Sequence, residues 1–214
     1  MGYLPFLLQG TKVTIELFIL TIVLSLPLGL PFALGMNSKI KPLKVLCKIY
    51  VWIFRGTPRM LQLFFLYFFF PMFLDIKLNV FVTVVLTFVL NYAAYFAEIF
   101  RGGINSVDRG QYEAAHALGL SRTQTMFDII LPQTLRAVLP PVVNEAITLV
   151  KDTALASVLP IVELMKATNA TVNRLSDMSP FLAAAIIYLL MTFVLTYFAG
   201  KLEKRYSRYD MLEG

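Results

Sequence analysis

DRGQYEAAHALGLSRTQTMFDIILP, residues 108–132, lies in a charged insert over roughly 105–132 of a chain that is otherwise almost entirely apolar. Its punctuation is that of a small folded unit. Asp108 can cap a short helix running through Gln111 to Leu118, and Gly119 supplies a left-handed stop. Ser121 with Gln124 three residues later reads as a capping box for a second short helix. Pro132 is expected to end that helix, because proline lacks an N–H and clashes with the preceding turn. A loop that folds as helix–turn–helix between two apolar runs is expected in water at the membrane surface, shaped to be gripped by a partner.

The apolar runs decide the fold class. Hydrophobic residues make up 58% of the 214 and charged residues only 15%, with a mean hydropathy of +0.72. Soluble domains carry about 25% charge, so an all-α integral membrane protein is expected. A bilayer core takes roughly twenty residues per helix. The apolar segments read as five spans, at about 13–36, 58–73, 80–100, 136–159 and 180–200, in one domain over 1–214. Pro27 and Pro31 are expected to bend the first. Between spans one and two, Leu43, Leu46, Cys47, Tyr50, Val51 and Phe54 recur at helical spacing opposite Lys44, Lys48 and Arg55. That is an amphipathic helix lying on the membrane surface. Thr57-Pro58 and Ser179-Pro180 each read as a cap followed by a first-turn proline, and 75–79 as a tight turn. Met1 to Gly10 lacks a basic leader region, so no cleavable signal is expected. The single cysteine, Cys47, has no partner for an internal disulfide.

Orientation follows from the basic residues. Most of the 19 lysines and arginines fall on one side of a five-span arrangement. Lys39, Lys41, Lys44, Lys48, Arg55 and Arg59 fall in the segment 39–59. Arg101, Arg109, Arg122 and Arg136 flank the large loop, and Lys201, Lys204, Arg205 and Arg208 form the tail. The positive-inside rule makes that side cytoplasmic, with the N-terminus outside and the C-terminus inside. The net charge of +6 is thereby explained without nucleic acid.

Charged groups inside a membrane cost at least about 2.5–3.5 kcal/mol each and so mark sites. Thr87, Asn91 and Glu98 share one face of span three. Asn144, Glu145, Thr148, Lys151 and Asp152 interrupt span four, and Glu163 follows Pro160 at its outer end. Each has a bland reading as well. Asn91 can be interhelical glue, Glu98 can pair with Arg101, Glu145 can reach water, and Glu163 can be an ordinary loop charge. Lys151 and Asp152 are adjacent, so each is expected to pair with a different span. The phenylalanines at 64, 65 and 68–70 read as lipid-facing or packing surface.

Glu113-Ala114-Ala115, Gly119, Ile129, Leu131 and Pro132 fall in a spacing that resembles the EAA loop of ABC-importer membrane subunits. Phe54-Arg55-Gly56-Thr57-Pro58, Glu98-Ile99-Phe100-Arg101-Gly102-Gly103, Gly110-Gln111 and Lys151-Asp152-Thr153 are similar to the polar amino-acid permeases of the histidine, arginine and glutamine group. Ala154 stands where these permeases commonly carry serine. The resemblance covers nearly the whole chain and implies a type I importer permease of the bacterial cytoplasmic membrane. It implies docking of Glu113, Ala114, Ala115, His116 and Gly119 in a groove of an ATP-binding subunit dimer, which binds the ATP and Mg; this chain binds no cofactor. Further implied partners are a second permease copy, identical or not, an extracytoplasmic amino-acid-binding protein, and membrane lipid. The substrate is then an amino acid, whose ammonium and carboxylate need partners in low dielectric. Candidate substrate residues are Thr87, Asn91, Glu98, Asp152 and Glu163. Glu98 suits the shared ammonium or a gate. Glu163 suits a basic side chain, which favours arginine, histidine or lysine over glutamine or glutamate. An enzyme is not expected, because the lone His116 lies in the loop, no metal-ligand spacing occurs and no phosphate-binding loop is present. Nothing resembles a channel filter.

Overall fold

The computed structural model describes residues 2–210, with side chains as far as Leu202; Lys204, Arg205 and Arg208 of the expected basic tail lie outside the described side chains. Helices α1 (Leu4–Met36), α4 (Val80–Ser106) and α9 (Ser179–Asp210, apolar as far as Leu202) are each long and apolar enough to cross a membrane. So is the composite helix Arg122–Val158, which contains α6 (Arg122–Gln124) and α7 (Leu131–Asp152). The remaining candidate is a bent pair, α2 (Lys41–Gly56) and α3 (Arg59–Leu74), meeting at 109°. Two short helices complete the chain, α5 (Arg109–Ala117) and α8 (Leu164–Leu175). Among the described residues there is no strand.

Helix α1 is the centre of the bundle and packs mainly on α4. Its first turn begins nine residues before the expected span, because Pro5 suits a first turn and the Lys12–Glu16 pair, 3.9 Å apart, lies one turn apart on the same face. It continues through Pro27 and Pro31. The α1–α4 seam is close at Gly29, where a Cβ would stand 2.8 Å from the Phe96 Cβ and 3.1 Å from the Ala97 nitrogen. Small residues let membrane helices approach this closely. Two apolar clusters fill the seam. Leu17, Val84, Phe88 and Val89 pack with Ala156 and Leu159, and Ala33, Tyr92, Phe96 and Phe100 pack with Val138 and Leu149.

Three expectations are corrected. The helix after Ser121 does not end at Pro132. A π turn over Thr125–Ile130 hands over to α7 at Leu131, and Pro132 falls in the first turn of that new segment, where its missing N–H costs little. The helix that carries the expected fourth span, 136–159, therefore starts at Arg122 within the loop, and it ends in a 3₁₀ segment over Thr153–Val158. The stretch after Pro160 is not a loop but leads into α8, with Glu163 as its N-cap and left-handed Ser176 (φ 52°) as its C-cap. At the elbow, Thr57 closes α2 rather than capping α3, its hydroxyl donating back to the Ile53 carbonyl at 2.8 Å.

Candidate functional site

The elbow between α2 and α3 sets Arg59 in the first turn of α3, aimed at α4. Its guanidinium lies over the rings of Tyr92 and Tyr95, 4.7 and 4.9 Å from their centroids. Its Nε donates to Asn91 Oδ1 at 2.8 Å and its Nη1 to the Tyr92 hydroxyl at 3.1 Å. Across the bundle it forms an ion pair with Asp152, the last residue of α7, and the Tyr92 hydroxyl donates to Asp152 Oδ2 at 2.6 Å. Arg59 and Asp152 side chains are only 15% and 21% exposed, so the pair is held in low dielectric and depends on these hydrogen bonds. Asn91 completes the frame: its amide nitrogen donates to the Phe54 carbonyl at 2.9 Å and to Gln62 Oε1 at 2.8 Å. Gln62 in turn donates to Phe54 and Thr57 of the elbow.

Glu145, two turns before Asp152 on α7, is half-buried within electrostatic reach of Arg59 and Arg55. Its Oε2 is buried with no hydrogen-bond partner among the described residues. The Glu145 side chain is thus only partly open to water. Buried polar atoms are almost always satisfied, so this oxygen marks a place where a donor is wanted.

The sequence candidates do not all converge. Asn91 and Asp152 meet at Arg59. Asn91 is fully buried and acts as glue between α4 and the elbow. Glu98 lies two turns further along α4, gripped by Arg101 through two hydrogen bonds, one of 3.0 Å, with Arg55 3.9 Å away. Thr87 is fully buried and its hydroxyl donates to the Thr83 carbonyl at 2.7 Å. Glu163 is not an ordinary loop charge. It is fully buried under α1, and its carboxylate accepts from the backbone N–H of Met165 at 2.8 Å and of Lys166 at 2.6 Å. Burial pushes its carboxyl up to about 7, against the opposing pull of those N–H groups and Lys166. Lys151 points to the exposed side of α7. Arg59, Tyr92 and Tyr95 were not singled out from sequence as site residues. The available signal was an arginine opening an apolar helix, which has no reason to be there unless a carboxylate elsewhere in the membrane answers it.

The loop forms as its punctuation predicts. Asp108 Oδ1 accepts from Gly110 N at 2.6 Å, and Ser121 and Gln124 make both bonds of the capping box. Gly119 is left-handed, φ 75°, and α5 closes with Gly119 N donating to the His116 carbonyl and Leu120 N to the Ala115 carbonyl, each at 3.0 Å. Both bonds of a Schellman stop are therefore present. Ala115 is fully buried against the body, whereas Glu113, Ala114, His116 and Leu118 face outward, Leu118 at 78% exposure. Gln133 of α7 donates to Gln111 at 3.1 Å, tying the loop to the span.

Residues 25–208 match the family described as binding-protein-dependent transport system inner membrane component. The arginine transport system permease protein ArtQ of Bacillus subtilis is 35% identical over 208 residues, covering 97% of this chain and 95% of ArtQ. A putative glutamine transport system permease protein, GlnP of Rickettsia typhi, is 37% identical over 201 residues, covering 94% and 92%. A chain from the crystal structure of an amino acid ABC transporter with histidines superposes with a TM-score of 0.88 at 32% identity, covering 95% of each. A chain of the MetNI methionine ABC transporter, at 16% identity and a TM-score of 0.77 over 94% and 96% of the two chains, shares the fold. The chain belongs to the binding-protein-dependent transport system inner membrane components, as the multi-pass, non-enzymatic permease subunit of an amino-acid ABC importer of the cytoplasmic membrane.

Proposed function

We propose that this permease carries basic amino acids — arginine, histidine or lysine — by ATP-driven alternating access, and that Arg59, Asp152, Glu145 and Asn91 frame the substrate site. The observation that carries the reading is the buried Glu145 Oε2, which lacks a hydrogen-bond partner among the described residues while Arg59 and Asp152 are already paired with each other. Arg59 suits the substrate carboxylate. One acid suits the ammonium common to all amino acids, and the other suits a cationic side chain. Glu145, with its unpartnered oxygen, fits that last role. Glu98, clamped by Arg101 at the loop-bearing end, is assigned to a gate common to all substrates. Glu163 is assigned to holding α8 rather than to substrate, since both its oxygens are taken.

The N-terminus lies outside and the loop in the cytoplasm. There Glu113, Ala114 and His116 contact the ATP-binding subunit, with Ala115 and Gly119 shaping the helix that carries them. ATP and Mg bind on that subunit. A second permease copy and an extracytoplasmic binding protein complete the unit.

Uptake by proteoliposomes holding the complete transporter tests the reading. Glu145→Gln should raise the half-saturating concentration of arginine tenfold or more, the scale of a charge-assisted hydrogen bond of about 1.5–3 kcal/mol, and alter glutamine uptake far less. Equal loss for arginine and glutamine overturns the basic-substrate reading and leaves a neutral polar amino acid such as glutamine as the cargo.

A further inference from the structure

A second cleft, separate from the Arg59 cluster, opens where α2 meets the loop-bearing ends of α1 and α4. Its volume is about 470 Å³, and its walls include Lys48, Val51, Trp52, Arg55, Glu98 and Arg101. Three cations face one carboxylate, and that carboxylate is already held by Arg101. The cleft is therefore positive as a whole and suits an anion. Lys41, Lys48 and Arg55 are spaced by seven residues on α2, so they stand in one row, with Lys44 beside it.

The other side of α2 identifies the kind of anion. Cys47 and Val51 are buried against α1 and α4, but a separate arc of α2 is bare: Val45 is 52% exposed, Ile49 47%, Trp52 74% and Ile53 45%. Trp52 stands between this apolar arc and the cationic row, and it also lines the cleft. A helix with this layout, bent 109° from the span that follows, lies at the boundary between acyl chains and water, where tryptophan is enriched. A dissolved anion would use the cations alone and leave the apolar arc without a purpose. We propose that the cleft binds the headgroup phosphate of an anionic phospholipid, held by Lys48 and Arg55, while one acyl chain lies along Ile49, Trp52 and Ile53.

The tryptophan makes the test direct, because Trp52 is the only one in the chain. The full chain is reconstituted in phosphatidylcholine vesicles containing either brominated phosphatidylglycerol or brominated phosphatidylcholine, and quenching of Trp52 is compared. Phosphatidylglycerol should quench at several-fold lower mole fraction. Lys48→Gln should shift that midpoint by about fivefold, the effect of one basic residue at a charged membrane surface, and Lys48→Arg should restore it. Lys48 is exposed, so neither change endangers folding. Equal quenching by the two lipids overturns the proposal. Reversal of the preference by millimolar inorganic phosphate overturns it too, since the ligand would then be a soluble anion. Loss of the preference on adding the ATP-binding subunit would make this face a protein contact instead.

Discussion

Arg59 and Asp152 show how a single residue can be both costly and necessary in a membrane. Each alone would be an uncompensated charge in low dielectric, and removing one partner of such a buried pair destabilises by about 3–5 kcal/mol. Arg59→Met and Asp152→Leu should therefore each lower the detergent unfolding temperature more than the double replacement does, a coupling that a double-mutant cycle measures directly. Glu163 offers a second residue-level test. Its carboxyl titrates near 7 in the fold and near the ordinary carboxylate value when unfolded. Between those two values the folded chain holds a proton that the unfolded chain has lost, so stability falls as pH rises through that window. The groups that face it are Lys166, the N–H groups of Met165 and Lys166, and the hydroxyl of Tyr188 on α9. Glu163→Gln should flatten the decline between pH 5 and 7.5 in thermal unfolding. A slope unchanged from wild type would assign the pH dependence to another group.

At the scale of elements, the loop and the spans differ in how they are encoded. Gly119→Val forces a β-branched residue into left-handed backbone, at about 1–2 kcal/mol. The open space around Gly119 leaves strain as the whole effect. The α5 helix would then leave its seat, and ATP turnover of the assembled transporter should lose its dependence on substrate; normal coupled transport in Gly119→Val would detach α5 from that role. Caps and stops such as Asp108, Ser121 and Gly119 were legible because they act within a few residues of chain. So were α1, α4 and α9, whose apolar length alone defines them. The π turn was not legible. Pro132 is a helix breaker by local rules, and only an extra residue in the preceding turn removes the conflict. Nor was α8 legible, because Glu163 reads as a loop charge until α1 is seen to bury it. The Arg59 cluster draws its members from α3, α4 and α7, far apart in sequence, and no spacing rule joins them.

For the whole molecule, the accessibility of single cysteines reads out sidedness. In a Cys47→Ala background, Lys77→Cys and Met178→Cys should react with a membrane-impermeant thiol reagent added outside intact cells, and Thr123→Cys should not. All three positions are exposed and have no positive φ. The reverse pattern would invert the bundle and place the loop outside. Two large surfaces remain apolar, the phenylalanine face of α3 and most of α9, as a chain surrounded by lipid requires. The contact between Arg59 and Asp152 also acts on this scale. Arg59 opens a helix just after a sharp bend, and Asp152 closes one just before the backbone tightens into a 3₁₀ turn. A single bond thus fastens two natural joints of the chain to each other. A guest that drew either partner away would loosen both joints together, so an occupied site would be mechanically different from an empty one.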